Sequence, residues 1–327
     1  MDTRILGRTG RTVSVIGLGT WQLGADWGDV TPADARKVLD ASLESGVTFY
    51  DTADVYGDGR SERFVGEFVA ANPEAGLTVG TKMGRRVDQL PENYVLENFR
   101  AWTDRSRKNL GVDTLDLVQL HCPPTAVYLS DEVFDALDTL VADGAIAAYG
   151  VSVEETSQAL TAIARPGTAT VQIILNAFRL KPLDEVLPAA AAAGVGIIAR
   201  VPLASGLLSA KYTERTTFAE NDHRTYNRSG EAFDVGETFA GVDFATGISA
   251  ARAFAALAPE GLTAAQAALA WIAQLEGVST VIPGARNAEQ ARANAAAGSV
   301  PDLGEDFRIA VADIYDRHFR AAVHGRW

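Results

Sequence analysis

The chain has 327 residues, 47% of them hydrophobic and 22% charged, with a formal net charge of -13. That length buries a full core as one large α/β domain or as two ordinary ones, and the composition is that of a globular protein. The acidic balance argues against a nucleic-acid partner or an anionic membrane surface, since either calls for a basic face.

In chain order, the opening stretch "MDTRILGRTGRTVSV" is too polar for a secretory apolar core. On either side of Gly7 to Gly10 it reads as a β-hairpin ahead of the main fold. Short β-rich runs follow, each trailed by a helical pattern. They are "VIGLG" from Val15, "VTFYD" from Val47, "LTVGTK" from Leu77 and "LDLVQLH" from Leu115. "AIAAYGVS" from Ala145, "TVQIIL" from Thr170, "VGIIARV" from Val195 and "GVSTVIPG" from Gly277 complete the series. Several are apolar in succession, as strands covered on both faces are. Thr31-Pro32, Ser61-Glu62 and Ser130-Asp131-Glu132 have the form of helix starts. Gly46 and Gly194 stand where left-handed helix terminators belong.

Eight strands alternating with helices fit a (β/α)8 barrel or a doubly wound sheet. No proline- or serine-rich linker divides the chain, so one barrel domain over residues 1–327 is the preferred reading. The polar stretch from about Lys211 to Ala245 lies outside the repeat. It follows the seventh barrel strand, which in a barrel puts it over the active-site face. No run approaches the roughly 18 apolar residues of a membrane span. Cys122 is the only cysteine, so no intrachain disulfide forms and a cytoplasmic setting is expected.

Reacting groups of a (β/α)8 barrel project from the carboxyl ends of its strands. Those ends here are Gly19-Thr20-Trp21, Asp51, Lys82, His121, Ser152, Gln172, Arg200 and Pro283-Gly284. Asp51, Lys82 and His121 end successive strands and converge at one mouth, with Tyr56 on the loop beside them. A phenol's ordinary pKa is near 10, so giving up its proton at neutrality costs roughly 4 kcal/mol. A lysine ammonium eases that loss, a carboxylate keeps the lysine charged, and a neutral imidazole orients a substrate oxygen. The group suits proton donation to a carbonyl oxygen, with the hydride drawn from a cofactor. Taken singly, a strand-end lysine or aspartate is more often a structural ion pair, and the histidine is as readily a satisfied polar residue.

Other chemistries fail on inventory. The histidines are His121, His223, His318 and His324, and three of these lie away from the strand ends, so no metal centre is expected. No G-x-S-x-G elbow or G-x-x-x-x-G-K-[ST] loop is present. "GLGTWQLG" has Gln22 where a dinucleotide fingerprint needs its third glycine, and reads as strand end and loop.

Together these residues resemble the aldo-keto reductases. "FYDTADVYG", "GTKMG" and "LVQLHCP" resemble that family's aspartate-to-tyrosine, lysine and histidine segments. "GVS" at Gly150, "VQIILNAF", "PLASGLLSAKY" and "IPGARNAEQARAN" follow in family order. The resemblance implies an NADPH-dependent barrel that reduces aldehydes or ketones without a metal. It makes Tyr56 the general acid, tuned by Lys82 and Asp51, and gives His121 the task of orienting the carbonyl. It places Ser152 and Gln172 on the nicotinamide carboxamide and Val201, Pro202, Leu203, Ser205, Gly206 and Leu208 around the pyrophosphate, with Lys211 adding charge. Gly284, Arg286, Gln290 and Asn294 meet the adenosine end, and Gly19, Thr20, Trp21, Asp51 and Arg200 complete the cofactor set. Arg286 suits a 2′-phosphate, or else is a solvated cation at a helix start.

This chain departs from the family pattern at Val153, where many members have asparagine, and at Arg200, where an aromatic residue often stacks on the nicotinamide. Arg200 either stacks in its place or attracts an anionic substrate. Trp21 and Trp27 are expected to wall the substrate pocket, or in the case of Trp27 to pack at its rim. Phe218, Tyr226, Phe233 and Phe239 of the long loop either close over substrate or pin the loop to the barrel. Two rival functions stand beside the reductase. One is an NADPH-binding regulatory protein of the potassium-channel β-subunit type. The other is a Schiff-base lyase or isomerase, which Asp51 opposes by keeping Lys82 charged.

Overall fold

A computed structural model describes residues 1–24, 30–220, 222–231 and 235–327. Strands β1 (Thr3–Ile5) and β2 (Thr12–Ser14) form an antiparallel hairpin. The barrel strands are β3 (Leu18–Gly19), β4 (Phe49–Asp51), β5 (Thr78–Met83) and β6 (Leu117–His121). They continue with β7 (Tyr149–Ser152), β8 (Thr168–Ile174), β9 (Gly196–Arg200) and β10 (Val278–Val281). All eight pair in sequence order and in parallel. Bridges from Ile16 to Val281 and from Gly19 to Gly284 join the last strand to the first. The expected (β/α)8 barrel with its leading hairpin is the observed fold.

Local sequence explains much of this. Every residue of β5, β6, β7, β8, β9 and β10 is buried, which accounts for apolar runs that do not alternate. Thr31 caps the helix Pro32–Glu44 by accepting from the Asp34 amide, and Ser130 caps Asp131–Ala142 by accepting from Val133, both as expected. Ser61-Glu62 behaves differently. The helix starts at Arg60, after Gly59 in the left-handed region. Ser61 is buried in its first turn, where it donates to the Thr20 carbonyl at 3.0 Å and accepts from Thr52 Oγ1 at 2.9 Å. Glu62 is buried too, accepting from Thr81 Oγ1 at 2.6 Å and Asn109 Nδ2 at 2.8 Å.

The hairpin closes the amino-terminal end of the barrel. Leu6 and Val13 are fully buried and cluster with Phe49, Leu117, Ile198 and Ile282, the apolar filling of the barrel interior. Arg8 donates to the carbonyls of Ala193, Arg165, Pro166 and Thr168. Ala193 ends the helix Val186–Ala193, so the guanidinium meets carbonyls that a helix terminus leaves unsatisfied. Arg4 reaches the Val278 carbonyl at 2.5 Å. Among the described residues no helix is long and apolar enough to cross a membrane.

Gly7 makes this seal possible. Its φ is +50°, and a Cβ there would lie 2.1 Å from the Gly196 nitrogen and 2.3 Å from the Ala169 oxygen. Gly7→Ala is therefore expected to destabilise the protein by more than about 1 kcal/mol, seen as a lower urea midpoint. An unchanged midpoint would show that the hairpin does not sit tightly in the barrel.

Candidate active site

Strand register assembles the site. Asp51 pairs with Gly80, Lys82 with Gln119, His121 with Ser152, and Ser152 with Gln172. Lys82 Nζ, buried at the centre, donates to Asp51 Oδ2 at 2.5 Å, to the Thr52 carbonyl at 2.8 Å and to Tyr56 Oη at 3.4 Å. The other Asp51 oxygen accepts from Gln172 Nε2 at 2.7 Å and from Gln119 Nε2 at 3.5 Å. Gln119 was not anticipated from the sequence, although its place two residues before His121 puts it on the same strand face.

Tyr56 sits against three partners. Trp21 stacks on it with ring centroids 6.2 Å apart, His121 meets it edge-on at 6.0 Å, and the Lys82 ammonium lies 5.0 Å from its ring centre. The loop reaches this position by a close approach: a Cβ on Gly57, whose φ is +57°, would lie 1.8 Å from the Gly24 carbonyl oxygen. Thr20 holds the near side by donating Oγ1 to the Asp51 carbonyl at 2.8 Å. Trp27 lies outside the described residues.

The electrostatics follow from burial and from these pairings. Burial works against the Lys82 charge, but Asp51 and then Tyr56 more than offset it, and the ammonium is held above its ordinary pKa. Burial raises the Tyr56 phenol, and Lys82 opposes that rise without cancelling it. The lysine effect anticipated from sequence is present and is outweighed by desolvation. His121 is held well below the ordinary imidazole range by burial, aided by Arg85, Lys82 and Arg200, so it is neutral at pH 7. Its Nδ1 is buried without a hydrogen-bond partner among the described residues.

Arg200 at the end of β9 is buried and ion-paired. It donates to Glu237 at 2.7 Å and to the Val153 carbonyl at 3.1 Å, and its Nη2 lies 3.7 Å from Cys122 Sγ. Glu237 comes from the long segment after β9, a partner no sequence pattern marked. Its own backbone oxygen accepts from Ser205 Oγ at 2.5 Å. Arg85, also unanticipated, donates Nε to the His121 carbonyl at 2.9 Å and lies 3.8 Å from Glu154.

The remaining expected cofactor residues line two turns. After β9 the backbone is left-handed at Val201, Ala204, Ser205, Gly206 and Ala210. Asn176 Nδ2 holds the Val201 carbonyl at 3.0 Å, and Tyr212 donates to the Ser205 carbonyl at 3.2 Å. Pro202 and Leu208 are buried, Leu203 is half-buried and Lys211 is exposed. After β10, Arg286 is exposed and its Nη2 lies 3.9 Å from Asp222. Gln290 accepts from the Arg286 amide at 2.9 Å, and Asn294 donates to the Gly284 carbonyl at 3.1 Å. Gln22 lies against Gly284, where a Cβ would come within 2.1 Å of its amide nitrogen, and its Oε1 is buried without a partner among the described residues. Ser152 Oγ accepts from the Cys122 thiol at 3.3 Å. In the long segment, Phe218, Phe239, Tyr212 and Phe244 pack on one another, with Phe239 and Phe244 centroids 4.8 Å apart. Phe239 belongs to the main apolar core and Phe218 packs against it, Tyr226 is exposed, and Phe233 lies outside the described residues.

The Asp54 backbone structures the loop that carries Tyr56, its amide donating to the Lys82 carbonyl at 3.2 Å and its carbonyl accepting from Arg105 at 3.2 Å. Both carboxyl oxygens, however, are buried with no hydrogen-bond partner among the described residues. Burial, and then the nearby Glu62, push this carboxyl up to about 7, with Arg86 and Arg105 opposing.

The model of the aldo/keto reductase family matches residues 15–314. Glycerol dehydrogenase from Gluconobacter oxydans superposes with a TM-score of 0.79 at 30% identity, over 97% of this chain and 96% of that one. An aldo-keto reductase from Klebsiella pneumoniae solved in complex with NADPH shares the fold, with a TM-score of 0.68 at 24% identity over 96% of each chain. Aldo-keto reductase YhdN of Bacillus subtilis (strain 168) is 29% identical over 90% of this chain and 87% of its own length.

The raised Asp54 pKa carries a sign that can be measured. The folded chain keeps this proton where the unfolded chain has released it, so stability is lost as pH rises from the ordinary carboxylate range through about 7. Asp54→Asn is therefore expected to raise the thermal midpoint clearly at pH 8 and much less at pH 5. An equal shift at both values would mean that the carboxyl is not protonated in the fold.

Proposed function

This chain belongs to the aldo/keto reductase family, and from that premise we propose that it reduces the carbonyl of a small aldehyde or ketone with NADPH, Tyr56 giving the proton. The observation that carries this reading is the Asp51, Lys82 and Tyr56 relay beside a neutral His121.

The residues present fit the cofactor's chemistry. Arg286 and Lys211 are exposed cations suited to its phosphates, and Arg286 favours NADPH over NADH through its charged fork. The turn from Val201 to Ala210, with its run of left-handed residues, supplies a curved backbone of the kind that wraps phosphate groups. Ser152 and Gln172 are the groups to meet the carboxamide, and unpartnered buried atoms on Gln22 and His121 suit a polar ligand. When bound, NADPH supplies the hydride that no side chain can.

The chain's own residues manage the proton. Tyr56 keeps its proton at neutral pH because a phenol ordinarily titrates near 10 and burial only raises that, so the donor is loaded before substrate arrives. As the carbonyl oxygen gains negative charge, the phenol proton moves to it, and the phenolate left behind faces the Lys82 ammonium at 3.4 Å. Asp51 keeps that ammonium charged throughout. A neutral His121 hydrogen-bonds the carbonyl oxygen without competing for the proton.

Two measurements test this reading. Tyr56→Phe should lower NADPH-dependent aldehyde reduction by at least about 100-fold while NADPH binding stays within a few-fold. Undiminished turnover would remove Tyr56 as the donor, and tight NADPH binding by the wild type without turnover of any carbonyl would favour a regulatory protein. Arg286→Ala should weaken NADPH by about tenfold or more, roughly 1.4 kcal/mol, and NADH much less. Equal losses would take the 2′-phosphate away from Arg286.

A further inference from the structure

The cations that bear on the His121 ring are Arg85, Lys82 and Arg200. Each faces a carboxylate: Asp51 lies 2.5 Å from Lys82, Glu237 is 2.7 Å from Arg200, and Glu154 is 3.8 Å from Arg85. The reaction centre is thus electrically balanced group by group, within a chain whose overall charge is strongly negative. Asp51 and Glu154 are delivered by β4 and by the turn after β7. Glu237 is the exception, because it is brought from the long segment after β9.

The Arg200–Glu237 pair is well shielded, with side chains only 10% and 14% exposed. Arg200 has Nη1 on Glu237, Nη2 on the Val153 carbonyl, and a buried Nε with no partner among the described residues. A guanidinium fork is the group best matched to a carboxylate. Buried without a counter-ion it is costly, and it recruits an anion if one is available. Glu237 already supplies that anion and adds a negative charge that repels a second carboxylate. Burial works against the Glu237 charge as well, but Arg200 and Arg85 pull its pKa below the ordinary value.

We propose that Glu237 sets the charge specificity of the site: by pairing with the Arg200 guanidinium through Nη1 it admits uncharged carbonyl compounds and shuts out those with a carboxylate beside the carbonyl. This rests on the reductase reading above. It also decides between the two roles that Arg200 had on sequence alone, since an arginine whose charge is already met by a buried carboxylate is not an anion receptor. Removing the Glu237 charge should turn it into one.

The test compares propanal with glyoxylate as NADPH-dependent substrates of the wild type, Glu237→Gln, and Glu237→Gln combined with Arg200→Gln. The wild type should favour propanal in kcat/KM. In Glu237→Gln the preference should move toward glyoxylate by about tenfold or more, and in the double variant it should return. A second readout is oxamate, a carboxylate that is not reduced, binding to the NADP-saturated protein and followed by thermal shift. Glu237→Gln should bind it at least about tenfold tighter than the wild type does, and the double variant should not. An unchanged preference and unchanged oxamate affinity in Glu237→Gln would overturn the proposal, as would a gain that survives loss of Arg200. If the wild type turned over neither aldehyde, the reductase reading would fail, and oxamate binding would still decide the role of Glu237. Glu237→Ala, which keeps the backbone bond to Ser205, takes the same measurements if the glutamine variant does not fold.

Discussion

The rest of the site depends on one buried ion pair, Lys82 with Asp51. Taking two charges out of water costs several kcal/mol per ion after relaxation, and mutual attraction alone does not reliably repay it. Here the remaining valences are filled as well. The lysine has the Thr52 carbonyl and the Tyr56 hydroxyl, and the aspartate has the amides of Gln172 and Gln119. Those partners come from different strands, so satisfying the pair ties β4, β5, β6 and β8 together at one end of the barrel. The polar network is therefore the centre of the candidate site and, at the same time, a constraint on strand register. A shift of one residue would turn Asp51 or Lys82 away from the interior.

The fold was largely legible because barrel strands and helix ends leave local marks. Apolar runs without alternation, Thr31 before Pro32, Ser130 before two acids and Gly194 before a strand each express a short-range rule. Ser61-Glu62 shows where such a rule fails. It has a cap's composition, yet both residues sit inside the helix's first turn on its buried face, where they meet Thr20, Thr52, Thr81 and Asn109. Tertiary hydrogen bonding there outweighs local propensity.

The site was legible to the same depth. Asp51, Lys82, His121 and Ser152 stand at strand ends, where fold geometry alone makes residues distant in sequence neighbours. What sequence did not reveal is what the loops bring. Glu237 is 37 positions from Arg200 along the chain, within a segment that has no periodicity to align it. Asp54 looked like any polar loop residue, because nothing in its surroundings announces that both oxygens are sealed from water. The balance between Lys82 and burial at Tyr56 likewise requires knowing how deep the phenol sits.

The hairpin at the opposite end has a consequence of its own. With Leu6 and Val13 seated in the barrel interior and Arg4 and Arg8 fastened to carbonyls around the rim, that end works as a stopper independent of the chemistry. The loops that carry Tyr56, Arg85, Glu237 and Arg286 follow the carboxyl ends of their strands, at the other mouth. The molecule is in effect a cup sealed at its base, and redesign of what it accepts would be directed at the lip.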